Sequence, residues 1–233
     1  MRALPIAERI NDGVLIAKIV GNLGLVWLYR GDAVRSESHL TREIELAHRL
    51  GNRTDELAAL LNLGLAKYMQ GREADAMAVT DKAGALAVSM RIPLGEALAR
   101  VNLAYVHIVA GRLEAADRDL DRVDAIRKTL GSPQVDQLAE TIRAYLHVRT
   151  GDLGAAERAL AAAERFGPTK NGHAVRARLL YEQRDYRGAR EAIRKAQALR
   201  DLWMPTDQRL LEAIEDSAIS GKPSGRAFES PVQ

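Results

Sequence analysis

The sequence contains no cysteine and, among 233 residues, only two Phe and two Trp. Without cysteine there are no disulfides, no thiolate metal sites and no cysteine nucleophile. With so few aromatics beside a hydrophobic fraction of 47%, the core must be built mainly from Ala, Leu, Ile and Val. Charge of one sign is also lacking. Lys and Arg number 34 against 31 Asp and Glu, a formal +3, which describes a mixed surface and neither a polybasic tail nor an acidic disordered chain. Long apolar runs are nearly absent. Gly13 to Leu28 comes closest to a membrane span, but it is short for a hydrocarbon core and carries Lys18 and Asn22 in its middle. Charges at Arg2, Glu8 and Arg9 leave no signal-peptide core, so a cytoplasmic location is expected.

Catalytic signatures are missing too. No phosphate-binding GxxxxGK[ST], no GxGxxG after a strand, no HExxH, GxSxG or EF-hand loop occurs, and the carboxylates are scattered at surface-helix spacing. The chain is expected not to be an enzyme, with no catalytic residues, no metal and no cofactor. His39, His48, His107, His147 and His173 make no recognisable ligand set. His107 and His147 occupy equivalent places forty residues apart, which suits either a metal or pH-sensing pair or plain packing spacers.

What is present is a repeat. Gly31, Gly71, Gly111 and Gly151 are spaced by 40 residues. Gly24, Gly64 and Ala104 stand seven residues before the first three, each preceded by Asn-Leu, while Ser36, Ala76, Ala116 and Ala156 stand five residues after the four glycines. Around each glycine lie two stretches with apolar residues at helical spacing, such as Leu57, Leu60, Leu61 and Leu65 before and Leu113, Ala116, Leu120 and Val123 after. The glycine suits a left-handed helix terminus, and Asp32, Asp152 or Glu114 beyond it suit the start of the next helix. Small residues at the Ala76, Ala116 and Ala156 position let the two helices approach closely. Each hairpin has more apolar face than it can bury alone, so the units must stack.

The spacing predicts an all-α solenoid of antiparallel hairpins over 1–219, with units at about 13–51, 53–91, 93–131, 133–167 and 170–200. In the fifth, Arg184-Asp185-Tyr186 replaces Gly151-Asp152-Leu153 and Ala189 matches Ala156, a step of 33. Pro168 falls at the shortening, after a helix expected to end at Phe166. A capping helix is expected over 206–219 and a disordered tail over 220–233. Ile6 to Asn11 aligns with Leu46 to Gly51, so the chain opens inside a repeat, as a fragment of a longer array or with a short helix capping that end.

This pattern resembles the tetratricopeptide repeat. The resemblance rests on Leu23-Gly24, Trp27, Gly31, Ser36 and Leu40, on Leu63-Gly64, Gly71 and Ala76, on Leu103, Ala104, Gly111, Ala116 and Leu120, and on Gly151, Ala156, Leu160 and Pro168. It covers roughly Ile10 to Arg200 and implies a right-handed superhelical solenoid of five repeats. The forty-residue unit is similar to the longer variety of kinesin light chains, spindle-orientation adaptors and bacterial regulators. Lys67, His107 and His147 depart from the pattern by replacing the aromatic, and Arg143 and Arg176 replace a usual buried Leu.

The resemblance implies a concave wall made by the first helix of each unit. Facing it are Asn22, Leu25 and Tyr29, then Asn62, Leu65, Tyr68 and Met69, then Asn102 and Tyr105, and farther on Tyr145, Arg149, Arg178 and Tyr181. An apolar wall rimmed with hydroxyls fits a peptide-binding groove. Asn22, Asn62 and Asn102 form a ladder whose carboxamides either read an extended backbone or bond a neighbouring helix. In the forty-residue relatives such ladders hold extended peptides. The carboxylate-clamp residues of chaperone-tail binders are replaced here by Gly21, Leu25, Leu61 and Leu65.

Nine cations against three carboxylates between Lys170 and Arg200 make the basic character local. With Arg149 and Arg178 on the groove, the expected partner is a protein or peptide, apolar toward one end and acidic toward the other. The reading is a non-enzymatic protein-interaction module of a signalling or regulatory protein, without membrane contact. The alternatives are nucleic-acid binding through the basic fifth unit, disfavoured by the modest net charge, and a structural spacer that self-associates through its N-terminal end.

Overall fold

The computed structural model describes residues 3–199 together with Ser217, and among these there are eleven α-helices and no strand. They are α1 (Ala3–Arg9), α2 (Gly13–Tyr29), α3 (Ala33–Arg49), α4 (Arg53–Met69), α5 (Glu73–Ser89), α6 (Pro93–Val109), α7 (Leu113–Leu130), α8 (Pro133–Thr150), α9 (Leu153–Glu164), α10 (Lys170–Glu182) and α11 (Tyr186–Ala198). Two compact units divide the chain, one up to Asn102 and one from Leu103. No described helix is long and apolar enough to cross a membrane; α2, the candidate span, instead buries Ile16, Ala17, Val20, Gly24 and Leu28.

The forty-residue step is a property of the backbone. α2, α4, α6 and α8 begin at Gly13, Arg53, Pro93 and Pro133. Gly31, Gly71, Gly111 and Gly151 close the first helix of each pair with φ of +78°, +74°, +74° and +84°, the left-handed region that a Cβ disfavours. A second left-handed series lies between hairpins, at Asn11, Gly51, Arg91 and Gly131, with φ of +54°, +67°, +56° and +60°. Here the conformation repeats although glycine does not. Polar side chains then start the helices. The Leu15 N–H donates to Asp12 Oδ1 at 3.0 Å, Arg35 N–H to Asp32 Oδ1 at 3.0 Å, Asp55 N–H to Asn52 Oδ1 at 3.1 Å and Ala155 N–H to Asp152 Oδ1 at 2.8 Å. Glu114 makes no such cap; it lies in the first turn of α7, whose N-cap residue is Arg112.

In the first unit the paired helices meet where neither can carry bulk. A Cβ on Gly24 would lie 2.8 Å from Leu40 Cγ, and the buried Ser36 hydroxyl donates to the Gly24 carbonyl at 2.9 Å. A Cβ on Gly64 would run into the Thr80 hydroxyl, which donates to the Ala76 carbonyl at 2.8 Å. Leu40, fully buried by this approach, contributes about 2 kcal/mol of apolar burial. Behind it, Leu57, Leu60, Ala83, Leu86 and Ala87 form a core that Ile44 of α3 and Ile92 join, so neighbouring hairpins share one interior. At the N-terminal end α1 sets Ala7 against Ile16 and Val20.

In the second unit, two arginines that depart from the repeat pattern are held by acids. Arg143 on α8 donates to Asp124 Oδ2 on α7 at 2.6 Å, and Arg176 on α10 bridges Glu157 at 2.7 Å and Glu164 at 2.9 Å on α9. At the shortened step Arg184 takes a left-handed conformation at φ +64°, Asp185 caps α11, and Ala189 is fully buried. One boundary differs. α9 ends at Glu164 and not at Phe166, which is 42% exposed, because Gly167 at φ +106° turns the chain before Pro168. The expected capping helix and tail lie outside the described residues except for Ser217, which is helical, fully buried, and donates to Tyr181 Oη at 3.1 Å.

Since Arg91 holds a left-handed conformation where Gly51 and Gly131 stand forty residues to either side, Arg91→Gly should stabilise the protein by about 0.5–1 kcal/mol. Urea unfolding should show a higher midpoint at unchanged slope.

Candidate functional site

The Asn ladder falls wholly in the first unit, with Asn22 on α2, Asn62 on α4 and Asn102 on α6, forty residues apart on successive first helices. Asn22 is exposed and the other two are half-buried. None of the three carboxamides is engaged in a hydrogen bond among the described residues, so packing between helices does not account for them. Beside them Leu25, Leu65 and Met69 are half-buried and Tyr29 is 62% exposed. A row of uncommitted amides next to half-covered aliphatic side chains can donate to and accept from a peptide backbone while burying apolar side chains.

The remaining wall positions behave differently. Tyr68, Tyr145 and Tyr181 are buried, at 5%, 7% and 3% exposure, so they fill the packing between helices and do not rim an open groove. Tyr145 on α8 lies 6.0 Å from the half-buried Tyr105 on α6, ring to ring, and Tyr181 on α10 stacks edge-on against Tyr186 on α11 at 5.5 Å. The two cations expected on the groove make contacts inside the protein as well. Arg178 is buried at 8% exposure near Glu182, and Arg149 donates to the Ile108 carbonyl at 2.9 Å, so both serve the protein's own structure.

This repeating pair, left-handed turn and close contact at the small positions make the class plain. The fold is tetratricopeptide-like. No protein-family model and no curated protein matches the chain. Among solved structures, a tetratricopeptide repeat protein from Parabacteroides merdae is similar over 85% of this chain and 98% of its own, at 14% identity and a TM-score of 0.29. The assignment rests on the hairpin register of this chain itself.

Within these tetratricopeptide-like hairpins, sequence reasoning missed two features. The first is an acidic anchor. Lys67, which replaces the repeat's aromatic, donates from Nζ to Glu37 Oε1 at 2.8 Å, Gln70 Nε2 donates to Glu37 Oε2 at 2.7 Å and to the Ala33 carbonyl at 3.3 Å, and Arg72 Nη1 reaches Glu37 Oε2 at 2.9 Å. One carboxylate thus ties α3 to α4. Burial acts to raise its pKa, but the Lys67 and Gln70 hydrogen bonds, the Lys67 charge and Arg72 outweigh it and hold Glu37 at about 2. Glu43, one and a half turns on, has the opposite environment. Its carboxylate sits in the space left by the missing side chain of Gly21, where burial, aided by Asp55, pushes it up to about 7.

The second is a cavity of about 840 Å³ at the N-terminal end. It is floored by Ile19, Leu23, Val26 and Trp27 of α2, bounded by Leu4 and Pro5 of α1, and edged by Asn22, Arg35 and His39. Arg35 lies 4.5 Å and Arg30 5.5 Å from the Trp27 ring centroid. Burial and the Arg42 charge lower the His39 pKa, favouring its neutral form. Exposed valines at one end of a repeat were the available signal, although their burial depends on what lies beyond them. Among the described residues no cluster of His, Asp and Glu could hold a metal, and His107 stands 3.7 Å from Asp119.

The two glutamates give opposite pH dependences. Glu43, raised when folded, opposes folding once ionised, so its cost disappears as pH falls from above 7 to 4.5; Glu37, depressed when folded, adds stability that is lost as pH falls from 4.5 through 2. Glu43→Gln should therefore raise stability at pH 8 and flatten the stability profile between pH 7 and 4.5. Glu37→Gln should lower stability at pH 7 and flatten the profile below pH 4.5. Urea unfolding across pH measures both.

Proposed function

We propose that the chain is a non-enzymatic protein-interaction module, acting within a signalling or regulatory assembly, whose first unit binds an extended segment of a partner protein. The observation that carries this reading is the set of three uncommitted carboxamides at equivalent places on α2, α4 and α6. Mid-helix Asn is a poor helix former, so its recurrence at 40-residue intervals costs stability that packing does not return. Backbone hydrogen bonds from such a row select for an extended main chain, while Leu25, Leu65 and Met69 offer shallow apolar contact for alternate side chains. Arg176 and Arg178 of the basic last hairpin are turned to the protein's own carboxylates, so these two lend no support to an acidic ligand.

The test is a peptide selected from a displayed random library against the full chain, then titrated by fluorescence anisotropy. Asn62→Ala with Asn102→Ala should weaken it about tenfold, the loss expected of two hydrogen bonds at roughly 0.5–1.5 kcal/mol each. Ala is the better helix former, so the double variant should melt no lower than the parent. Unchanged affinity would remove the ladder from the binding site.

A further inference from the structure

The first hairpin lacks on one side what the second has. On α4, Ala59 and Ala66 are fully buried and Lys67 and Gln70 are fastened to Glu37 and the Ala33 carbonyl, all by the packing of α3. Forty residues back on α2, the same register places Ile19, Val26, Trp27 and Arg30. α1 covers only the upstream part of this face, through Ala7 on Ile16 and Val20. Farther along, Val26 is 43% exposed and the cavity of about 840 Å³ opens over Ile19, Val26 and Trp27. Of the exposed large apolar side chains, Ile6, Ile10, Val14, Val26, Tyr29 and Val34 all fall in this first stretch of the chain. The cavity therefore stands to α2 as the first half of α3 stands to α4. Its shape is the place of a helix.

Chemistry narrows the occupant. α3 is fixed on α4 by a carboxylate set among cations, and beside the cavity here stand Arg30 and Arg35 about the Trp27 ring, two cations for the single carboxylate of Asp32, which lies 3.4 Å from Arg35. We propose that this cavity docks a short amphipathic helix of a partner protein, with small apolar residues on its inner face and an acidic residue seated at Arg30 and Arg35. A second copy of this chain fits less well, since joining two such faces would set four arginines against only the two Asp32 carboxylates. The site is separate from the Asn ladder except at Asn22, which borders both.

Trp27 reports on the site directly once Trp203→Phe leaves it as the single tryptophan. The probe is a synthetic peptide copying Ala33–Arg49, the segment that fills the equivalent place on α4. Titrated onto the full chain, it should change Trp27 fluorescence saturably. Val26→Glu in the protein should weaken binding at least about tenfold, and Arg35→Glu, at an exposed position, or Glu37→Gln in the peptide, about three- to tenfold, while Asn62→Ala with Asn102→Ala leaves it unaltered. The proposal is overturned by a flat titration, by binding that tolerates both Val26→Glu and Arg35→Glu, or by sedimentation showing that the unliganded chain is a dimer that Val26→Glu dissociates. The peptide-groove reading is tested with a different ligand and by anisotropy, so failure here leaves that reading standing, and its failure leaves this one standing.

Discussion

Everything in this protein depends on how closely the two helices of a hairpin can approach. Gly24 against Leu40, Gly64 against Thr80, and the fully buried Ser36, Ala76, Ala116, Ala156 and Ala189 keep the contact faces free of bulk. At that separation a few aliphatic side chains suffice to fill the interior, which is why a chain with only two Phe and two Trp can still exclude water from its core. The left-handed turns follow from the same constraint. A helix must reverse within two residues to lie against the one before it, and a positive φ at Gly31 or Gly71 accomplishes this without a longer loop.

Close approach also leaves charged groups little room, and their placement records it. Glu37 stays ionised to about pH 2 because three donors converge on it between α3 and α4, whereas Glu43, resting over Gly21 with Asp55 for company, is pushed to about 7. Two glutamates on one helix, six residues apart, thus have opposite effects on stability. Lys67, His107, Arg143 and Arg176 look like faults in the repeat, yet each faces a carboxylate on another helix. At Lys67, Arg143 and Arg176 the substitution exchanges an apolar contact for an ion pair specific to one junction. Such pairs fix which helix follows which, a matter that near-identical apolar faces leave open.

The ladder and the N-terminal cavity show two ways a repeat can leave surface for a partner. In the ladder a polar residue recurs where no described residue bonds it. At the cavity an apolar face recurs that the described helices leave partly open. Both arise because a solenoid uses one face to build itself, and any position excused from that duty becomes available for binding.

Much of the helical framework was legible in the sequence, because turns and amphipathic faces depend on residues within a few positions of one another. Forty-residue glycines, Asp caps and small residues at the crossing were sufficient to mark the hairpins, and the shortened fifth unit was readable from Asp185 and Ala189. The second left-handed series was not, since Asn11 and Arg91 adopt the conformation without advertising it. Nor could sequence tell Tyr29, which is exposed, from Tyr68, Tyr145 and Tyr181, which are buried, because register places a side chain on a face but not under a neighbour. The sequence by itself determined the repeat, the helices and the recurrence of the asparagines. Only the tertiary structure decided which cations are spent internally, how Glu37 and Glu43 differ, and that α2 carries an apolar face still uncovered. The reason is physical: periodicity is written in local spacing, while burial and ionisation are set by whichever helix packs next.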